Sequence, residues 1–536
     1  MRKPGFGIGV LFGLLFTAAA LGVLYLGASF GLPFVPFDLF DWVTRSLPGP
    51  VVTAGIDGMI AALTALGISV ADTAKTAEQA MAAAGTGLFG ALMGGLFFAA
   101  LSRGSQRPTI APGVLLGALF GAAAIAIHQI ISQSVLPLIL RAVWIGVVFL
   151  AWGAALGLAA RKLWPDEGVS AAPEGERLTL TQQSRRRFLI QAGAAAAAIT
   201  ILGAGVGAAV RTSTRRPEEQ ASGEPLDLSS LPNADDPVKP APGTRSEVTR
   251  VSDHYRVFIR TEPSRVDGAT WTLPIVGMVD TPLELSLDDL RQRFEPLDQW
   301  VTLACISNPV GGTLIGTTRW TGCSLRDVLA EAGVRPGARY LNIESSDGFH
   351  ESLQISLAEM DPQIMLTYDW DGQPLPFDHG FPLRIYIPNR YGMKQPKWIT
   401  RIEVSDEQRT GYWVERSWDE KAIMLATSVI DTIAVNDAFE QDGQTLIPVG
   451  GIAHAGARGI SRVEVSVDGG DWVEAQLRAP LSETTWVIWR YDWPFTPGEH
   501  TLAVRCFEAD GTPQIAEERD ARPAGATGLH SRSQSV

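Results

Sequence analysis

Cysteine is nearly missing. Cys305, Cys323 and Cys506 are the three in 536 residues, which leaves no disulfide framework, no CxxC pair for zinc and no CxxCH for covalent haem. Basic residues are outnumbered as well, 44 Lys and Arg against 57 Asp and Glu, for a formal net charge of −13. A nucleic-acid binder would instead gather positive charge on one face, so nucleic acid is excluded as a partner and a small-molecule substrate or a protein redox partner fits better. Histidine is sparse where the chain is apolar: His128 is the only one inside a long apolar stretch. A haem held between helices by two histidines needs a second, so this half of the chain is not read as a cytochrome b.

What is plentiful is apolar sequence, 46% of the residues. It concentrates in a membrane domain, residues 1–210, with five spans at 7–31, 85–102, 110–133, 138–160 and 188–210, each near the ~20 residues that cross hydrocarbon as a helix. A sixth apolar stretch, 51–70, carries Asp57 and several glycines, and charge decides against it. With five spans, Arg2 and Lys3, Arg103 and Arg107, Arg161 and Lys162, and Arg185 to Arg187 all fall on one side, as the positive-inside rule requires. Residues 33–80 then lie on the membrane outside, and the chain after Val210 is extracytoplasmic. Gly90 and Gly94 form a GxxxG pattern suited to close helix packing. The Gly203, Gly205 and Gly207 series is no dinucleotide loop, because no strand precedes it. Ser184-Arg-Arg-Arg-Phe-Leu189 before the last span resembles a twin-arginine export signal; ordinary positive-inside arginines are the alternative.

Residues 211–247, rich in Pro, Ser, Asp and Glu, read as a flexible linker. From 248 to 424 short β-type runs alternate with helix signals, among them N-cap candidates Ser286 and Ser324 with Asp289 and Asp327 in the following turns. That is an α+β pattern. From 425 to 536 it gives way to strands: Ser461 to Val467 alternates, Asp468-Gly469-Gly470 makes a turn, and the runs 486–493 and 500–507 follow. This reads as an immunoglobulin-like β-sandwich, with Cys506 a buried small hydrophobe.

Chemistry collects in two segments. Val301-Thr-Leu-Ala-Cys305-Ile-Ser-Asn308-Pro-Val-Gly311-Gly312, then Trp320-Thr-Gly322, puts a cysteine at the end of an apolar strand before a glycine-rich turn that lets backbone approach a ligand. Spacing alone leaves open whether that cysteine is structural or catalytic. The second segment, Asp378-His379-Gly380-Phe-Pro382-Leu-Arg384 through Arg390, Lys394, Gln395, Lys397 and Trp398, suits an anionic heteroaromatic ligand, since Arg grips phosphate and His bonds a ring. A solvated basic loop is its alternative. Together the two segments resemble the sulfite oxidase family of molybdopterin enzymes. The resemblance spans about Tyr255 to Met424, and the sandwich after it looks like the family's dimerisation domain. It implies a molybdenum-molybdopterin cofactor with Cys305 giving its thiolate to the metal, a soft ligand suited to it. It further implies His379, Arg384 and Lys397 as pterin and phosphate contacts, with Tyr255, Asn308, Lys394 and Gln395 as subsidiary ones.

Two positions depart from the family. Val310 stands five residues beyond Cys305, where animal and plant sulfite oxidases carry a substrate-gripping arginine, so the substrate stays open. His350 aligns roughly with the family's active-site tyrosine and could donate a proton; a loop histidine without a role is the alternative. Cys323 reads as packing. The expectation is therefore a multi-pass, membrane-anchored, extracytoplasmic oxidoreductase that transfers an oxygen atom to or from a small, sulfur-containing substrate and trades electrons with a separate cytochrome or quinone-linked carrier. It has the option of a homodimer through its C-terminal domain. The rivals are an S-oxide reductase of the methionine sulfoxide reductase type and a non-enzymatic membrane receptor.

Overall fold

The computed structural model describes residues 3–48, a few positions between 51 and 62, and residues 70–131, 136–165, 174–213 and 230–535. Most of the ambiguous 51–70 stretch and linker residues 214–229 lie outside the described residues. The chain divides into two compact units. The first takes Met1–Gly55, Lys75–Arg216 and Arg260–Glu262; the second takes Ile56–Ala74, Pro217–Ile259 and Pro263–Val536.

Through the first unit the chain forms α1 (Phe6–Ala28), α2 (Val35–Ser46), α3 (Val70–Ser102, within this unit from Lys75 on), α4 (Ala111–Ile131), α5 (Leu138–Leu163) and α6 (Glu174–Ser213). Among the described residues five helices are long and apolar enough to cross a membrane: Phe6–Ala28, Lys75–Ser102, Ala111–Ile131, Leu138–Leu163 and Arg186–Val210. The second begins about ten residues earlier than the apolar run suggests, because the Ala-rich stretch before Gly85 is strongly helix-forming and Lys75 pairs with Glu78 at 2.6 Å along one face. Small residues set the helix contacts, as expected where lipid offers no hydrophobic drive between helices. A Cβ on Gly13 would strike the Gly90 carbonyl, and one on Gly94 the Gly9 carbonyl. Gly113 and Gly153 stand in the same relation between α4 and α5.

The second unit is richer in strand than an α+β pattern suggests. Its first part holds β1 (Thr272–Gly277), β2 (Leu283–Ser286), α7 (Leu287–Arg293), β3 (Pro296–Ala304), β4 (Ile315–Ser324), α8 (Leu325–Ala332), β5 (Tyr340–Ser345) and β6 (His350–Gln354). It continues through α9 (Ile355–Met360), β7 (Met365–Trp370), β8 (Gln373–Pro374), β9 (Arg384–Tyr386) and β10 (Ile399–Ser405). One sheet has the order β2-β1-β10-β5-β6, with β1 parallel to β10 and the other pairs antiparallel. The other has the order β3-β4-β7-β8, with β9 also on β7. Ser286 caps α7 in a reciprocal box with Asp289, and Ser324 caps α8, the two N-caps legible in the sequence.

The C-terminal part forms two further sheets. The first joins β11 (Thr427–Ile433), β12 (Phe439–Gln441), β13 (Gln444–His454), β16 (Gln476–Leu477) and β17 (Val487–Pro494). The second joins β14 (Ile460–Val467), β15 (Val473–Glu474), β18 (Glu499–Glu508) and β19 (His530–Ser535). Val449 and Trp489 of one sheet share a buried core with Val463, Leu502 and Cys506 of the other. Asp468 and Gly469 both take positive φ, 52° and 71°, the turn a tight hairpin demands. The expected linker is not free along its whole length. From Ser230 on it packs on the C-terminal part, where buried Arg478 reaches the Asn233 carbonyl at 2.8 Å and Glu247 at 2.8 Å, and Arg245 grips Asp431.

Candidate active site

Cys305 follows β3 directly, its amide donating to the Leu314 carbonyl at 2.9 Å, and its Sγ lies 3.1 Å from Ser307 Oγ. Asn308 closes the loop from inside: its Oδ1 accepts from the Leu314 amide at 2.9 Å, so the side chain shapes the turn. Burial pushes the Cys305 thiol up, and nearby Lys397 is one of the groups that oppose the rise. Among the described residues no group of three or more His, Cys, Asp or Glu side chains gathers as a metal site.

Beside Cys305 lies a connected aromatic cluster. His254 stacks on Tyr255 at 4.9 Å and meets Trp370 at 4.9 Å and His379 at 5.6 Å. Trp370 meets His379 at 4.6 Å and Trp320 at 5.8 Å. The Arg384 guanidinium lies 4.3 Å over the Trp320 ring. Trp320 and Trp370 are directly opposite one another in the antiparallel pairing of β4 and β7, so their side chains share one face. Gly380 allows the turn that brings His379 in: its φ is 119°, and a Cβ there would sit 3.1 Å from Lys397 and 3.2 Å from Arg384. Arg384 donates to the His379 carbonyl at 2.9 Å, and Lys397 to the Asp378 carbonyl at 3.1 Å.

Within this cluster five buried polar atoms have no hydrogen-bond partner among the described residues: His254 Nε2, Tyr255 Oη, Trp320 Nε1, Trp370 Nε1 and Arg384 Nε. Each such group costs about 1–3 kcal/mol left unmet, so their convergence is the signature of a polar, ring-bearing ligand. Burial governs the charges too. It pulls His254 down to about 3, His379 well below its usual range and Arg384 to about 10, so both imidazoles are neutral and the cluster's positive charge rests on arginine and lysine. Unfolded histidine takes its proton near pH 6.5. Between there and pH 3 the unfolded chain holds the extra protons, so the stability these rings give is full above pH 6.5 and is lost as pH falls. The urea midpoint of tryptophan fluorescence should drop through that window, and His254→Phe should flatten the slope.

Three sequence-derived residues have other engagements. Lys394 is buried in an ion pair with Glu351 at 2.5 Å and donates to the Ser352 carbonyl. Gln395 donates to the Arg390 carbonyl at 2.9 Å. His350 opens β6, where its Nε2 meets Glu415 at 3.3 Å and its ring faces Tyr412; no hydrogen bond or ring contact joins it to Cys305 among the described residues. The sequence reading missed His254 and Trp370, which carry no motif of their own, and gave Trp320 no role. Alternation of large aromatics along strands beside the cysteine loop was the available signal.

Residues 260–413 match the family described as oxidoreductase molybdopterin binding domain. Mitochondrial sulfite oxidase of Rattus norvegicus is 34% identical over 290 residues, covering 46% of this chain and 53% of the relative. Nitrate reductase [NADH] 1 of Oryza sativa subsp. japonica is 28% identical over 305 residues, covering 46% and 33%. Among solved structures, the sulfane dehydrogenase SoxCD from Paracoccus pantotrophus aligns with 60% of this chain and 97% of its own, at 20% identity and a TM-score of 0.47. The chain spans about half the length of the rat relative. This part of the second unit is thus a molybdopterin-binding oxidoreductase domain. It belongs to the sulfite oxidase-type family, and the cofactor it implies is molybdenum-molybdopterin. The five unmet polar atoms and the thiol beside them fit that group.

Proposed function

We propose that the chain is a membrane-anchored, extracytoplasmic enzyme that exchanges an oxygen atom with a small, sulfur-containing substrate in two-electron steps. The observation that carries this reading is the placement of the Cys305 thiol beside the cluster of unmet polar groups. When bound, the molybdenum cofactor supplies the oxygen-atom and electron chemistry. The chain's own part is binding and positioning. Cys305, whose thiol is held up in its setting, would hold the metal as the thiolate, giving up its proton on ligation. Tyr255, His254 and the two tryptophans would offer hydrogen bonds and flat walls to a pterin, and Arg384 and Lys397 would balance its negative charge. Val310 lines a small cavity with Asn308, Tyr391 and His454. It offers the substrate an apolar contact where a cation would grip an anion such as sulfite, which supports a less charged sulfur compound.

Dye-linked turnover on a panel of sulfite, thiols and S-oxides tests the reaction class. Turnover on at least one is expected, and failure on all by molybdenum-loaded protein would refute it. The extracytoplasmic site rests on the positive-inside pattern and the arginine motif before the last span. Replacing Arg185 and Arg186 by Lys should leave the C-terminal half protected from external protease in spheroplasts; unchanged digestion would dismiss the export role. The C-terminal sheets we read as an immunoglobulin-like sandwich that dimerises, and electrons pass to or from a separate carrier.

A further inference from the structure

The first unit contains a polar site that anchoring does not require. His128, in the last turn of α4, is 2% exposed, and its Nδ1 lies 2.8 Å from Asp38 on α2. The same carboxylate meets Arg260 at 3.6 Å. Asp41, one turn further along α2 and 1% exposed, lies 3.5 Å from Arg260 and accepts from the Thr261 amide and hydroxyl at 3.0 and 2.6 Å. Ionisable groups at the end of an apolar helix are costly and ordinarily serve a function.

The chemistry of the pair fixes what His128 shows to its surroundings. An ionised carboxylate only accepts, so where Nδ1 donates to Asp38 the ring's Nε2 is left as the atom that faces a ligand. That Nε2 is buried and has no partner among the described residues. His128 lines a cavity of about 120 Å³ whose walls include Leu32, Phe34, Phe37 and Arg260. Phe34 and Phe37 meet edge to face at 4.5 Å. A dry cavity of ~150 Å³ accepts a benzene ring; this one is smaller and carries Asp41, Glu262 and Arg260 in its lining, so it would take the oxygen-bearing edge of a ring. Phe30 and Ile130, neighbours in sequence to the lining, are 67% and 72% exposed, which makes the approach apolar.

We infer that this cavity binds the headgroup of a membrane quinone or quinol, with His128 Nε2 on one ring oxygen and Arg260 near the other. The inference deepens the reading above, resting on its need for a separate carrier: a quinone takes up two electrons and two protons on becoming a quinol, the stoichiometry of a two-electron reaction. His128 Nε2, backed by Asp38 at the other ring nitrogen, is placed to hydrogen-bond a ring oxygen of the headgroup.

The test is titration of the detergent-purified full chain with decylubiquinone, read by quenching of tryptophan fluorescence, since Trp144 donates to the Pro33 carbonyl at 3.1 Å in the cavity wall. Saturable binding in the micromolar range is expected. His128→Phe should weaken it by at least tenfold. Leu32→Trp, which fills the cavity and leaves the Asp38–His128 pair intact, should do the same. Absence of saturable binding by the wild type, or wild-type binding by the Leu32→Trp protein, would overturn the inference. Dye-linked turnover separates the two readings: turnover without quinone binding defeats only the quinone site, and quinone binding by molybdenum-loaded protein that turns over no substrate defeats only the oxygen-transfer reading.

Discussion

Replacing Cys305 by Ser should lower dye-linked turnover on the order of 10³-fold, equivalent to about 4 kcal/mol of transition-state stabilisation, while leaving the fold intact. The thiol and hydroxyl are close in size, the Cys305 amide still donates to Leu314, and Ser307 beside it accommodates either group. What changes is the ligand's softness and its donation to the metal. The effect should appear in kcat with little change in KM, because the substituted atom acts on the reacting centre and not on the substrate's remote contacts. Turnover within a fewfold of wild type would remove Cys305 from the reaction.

The second large effect concerns stability. Lys394→Met should destabilise the second unit by about 3–5 kcal/mol, because it leaves the Glu351 carboxylate buried without its partner. Both side chains are nearly inaccessible, 8% and 2% exposed. Burial pushes the Glu351 carboxyl up, and Lys394 is the principal group that opposes the rise. The pair ties β6 to the turn after Tyr391, and a Cβ on Gly411 would strike the same carboxylate, so the side chains have little room to relax. Adding Glu351→Leu to Lys394→Met should recover much of the loss, since two apolar groups can replace a buried pair at small cost. Urea unfolding followed by tryptophan fluorescence reads both proteins; equal midpoints for Lys394→Met and wild type would show that the pair contributes nothing.

That pair also shows where sequence reasoning stopped. Lys394 stands among the residues of a ligand loop, and its partner lies 43 residues earlier, so only the folded chain shows that its charge is already engaged. His350 stands near an aligned position, yet an edge strand turns its ring to Glu415. Cys305, His379 and Arg384 were singled out through the resemblance to the sulfite oxidase family's motifs, since a strand-end cysteine and a basic glycine turn by themselves leave the role open. Trp320 and Trp370 meet only once β4 and β7 are paired, and His254 reaches them from the irregular segment before β1. In the first unit hydropathy found the five long apolar helices of the described residues but placed one start late, because helix propensity continues where hydropathy fades. The Asp38–His128 contact joins residues 90 apart, and a lone histidine in an apolar stretch gave no sign of it.

Molybdenum X-ray absorption on purified wild type and Cys305→Ser tests the cofactor and its protein ligand together. The expected result is about one molybdenum per chain in both, with one fewer sulfur in the metal's first shell in the variant. Molybdenum-free wild type from cells that make the cofactor, or an unchanged sulfur count in the variant, would contradict it.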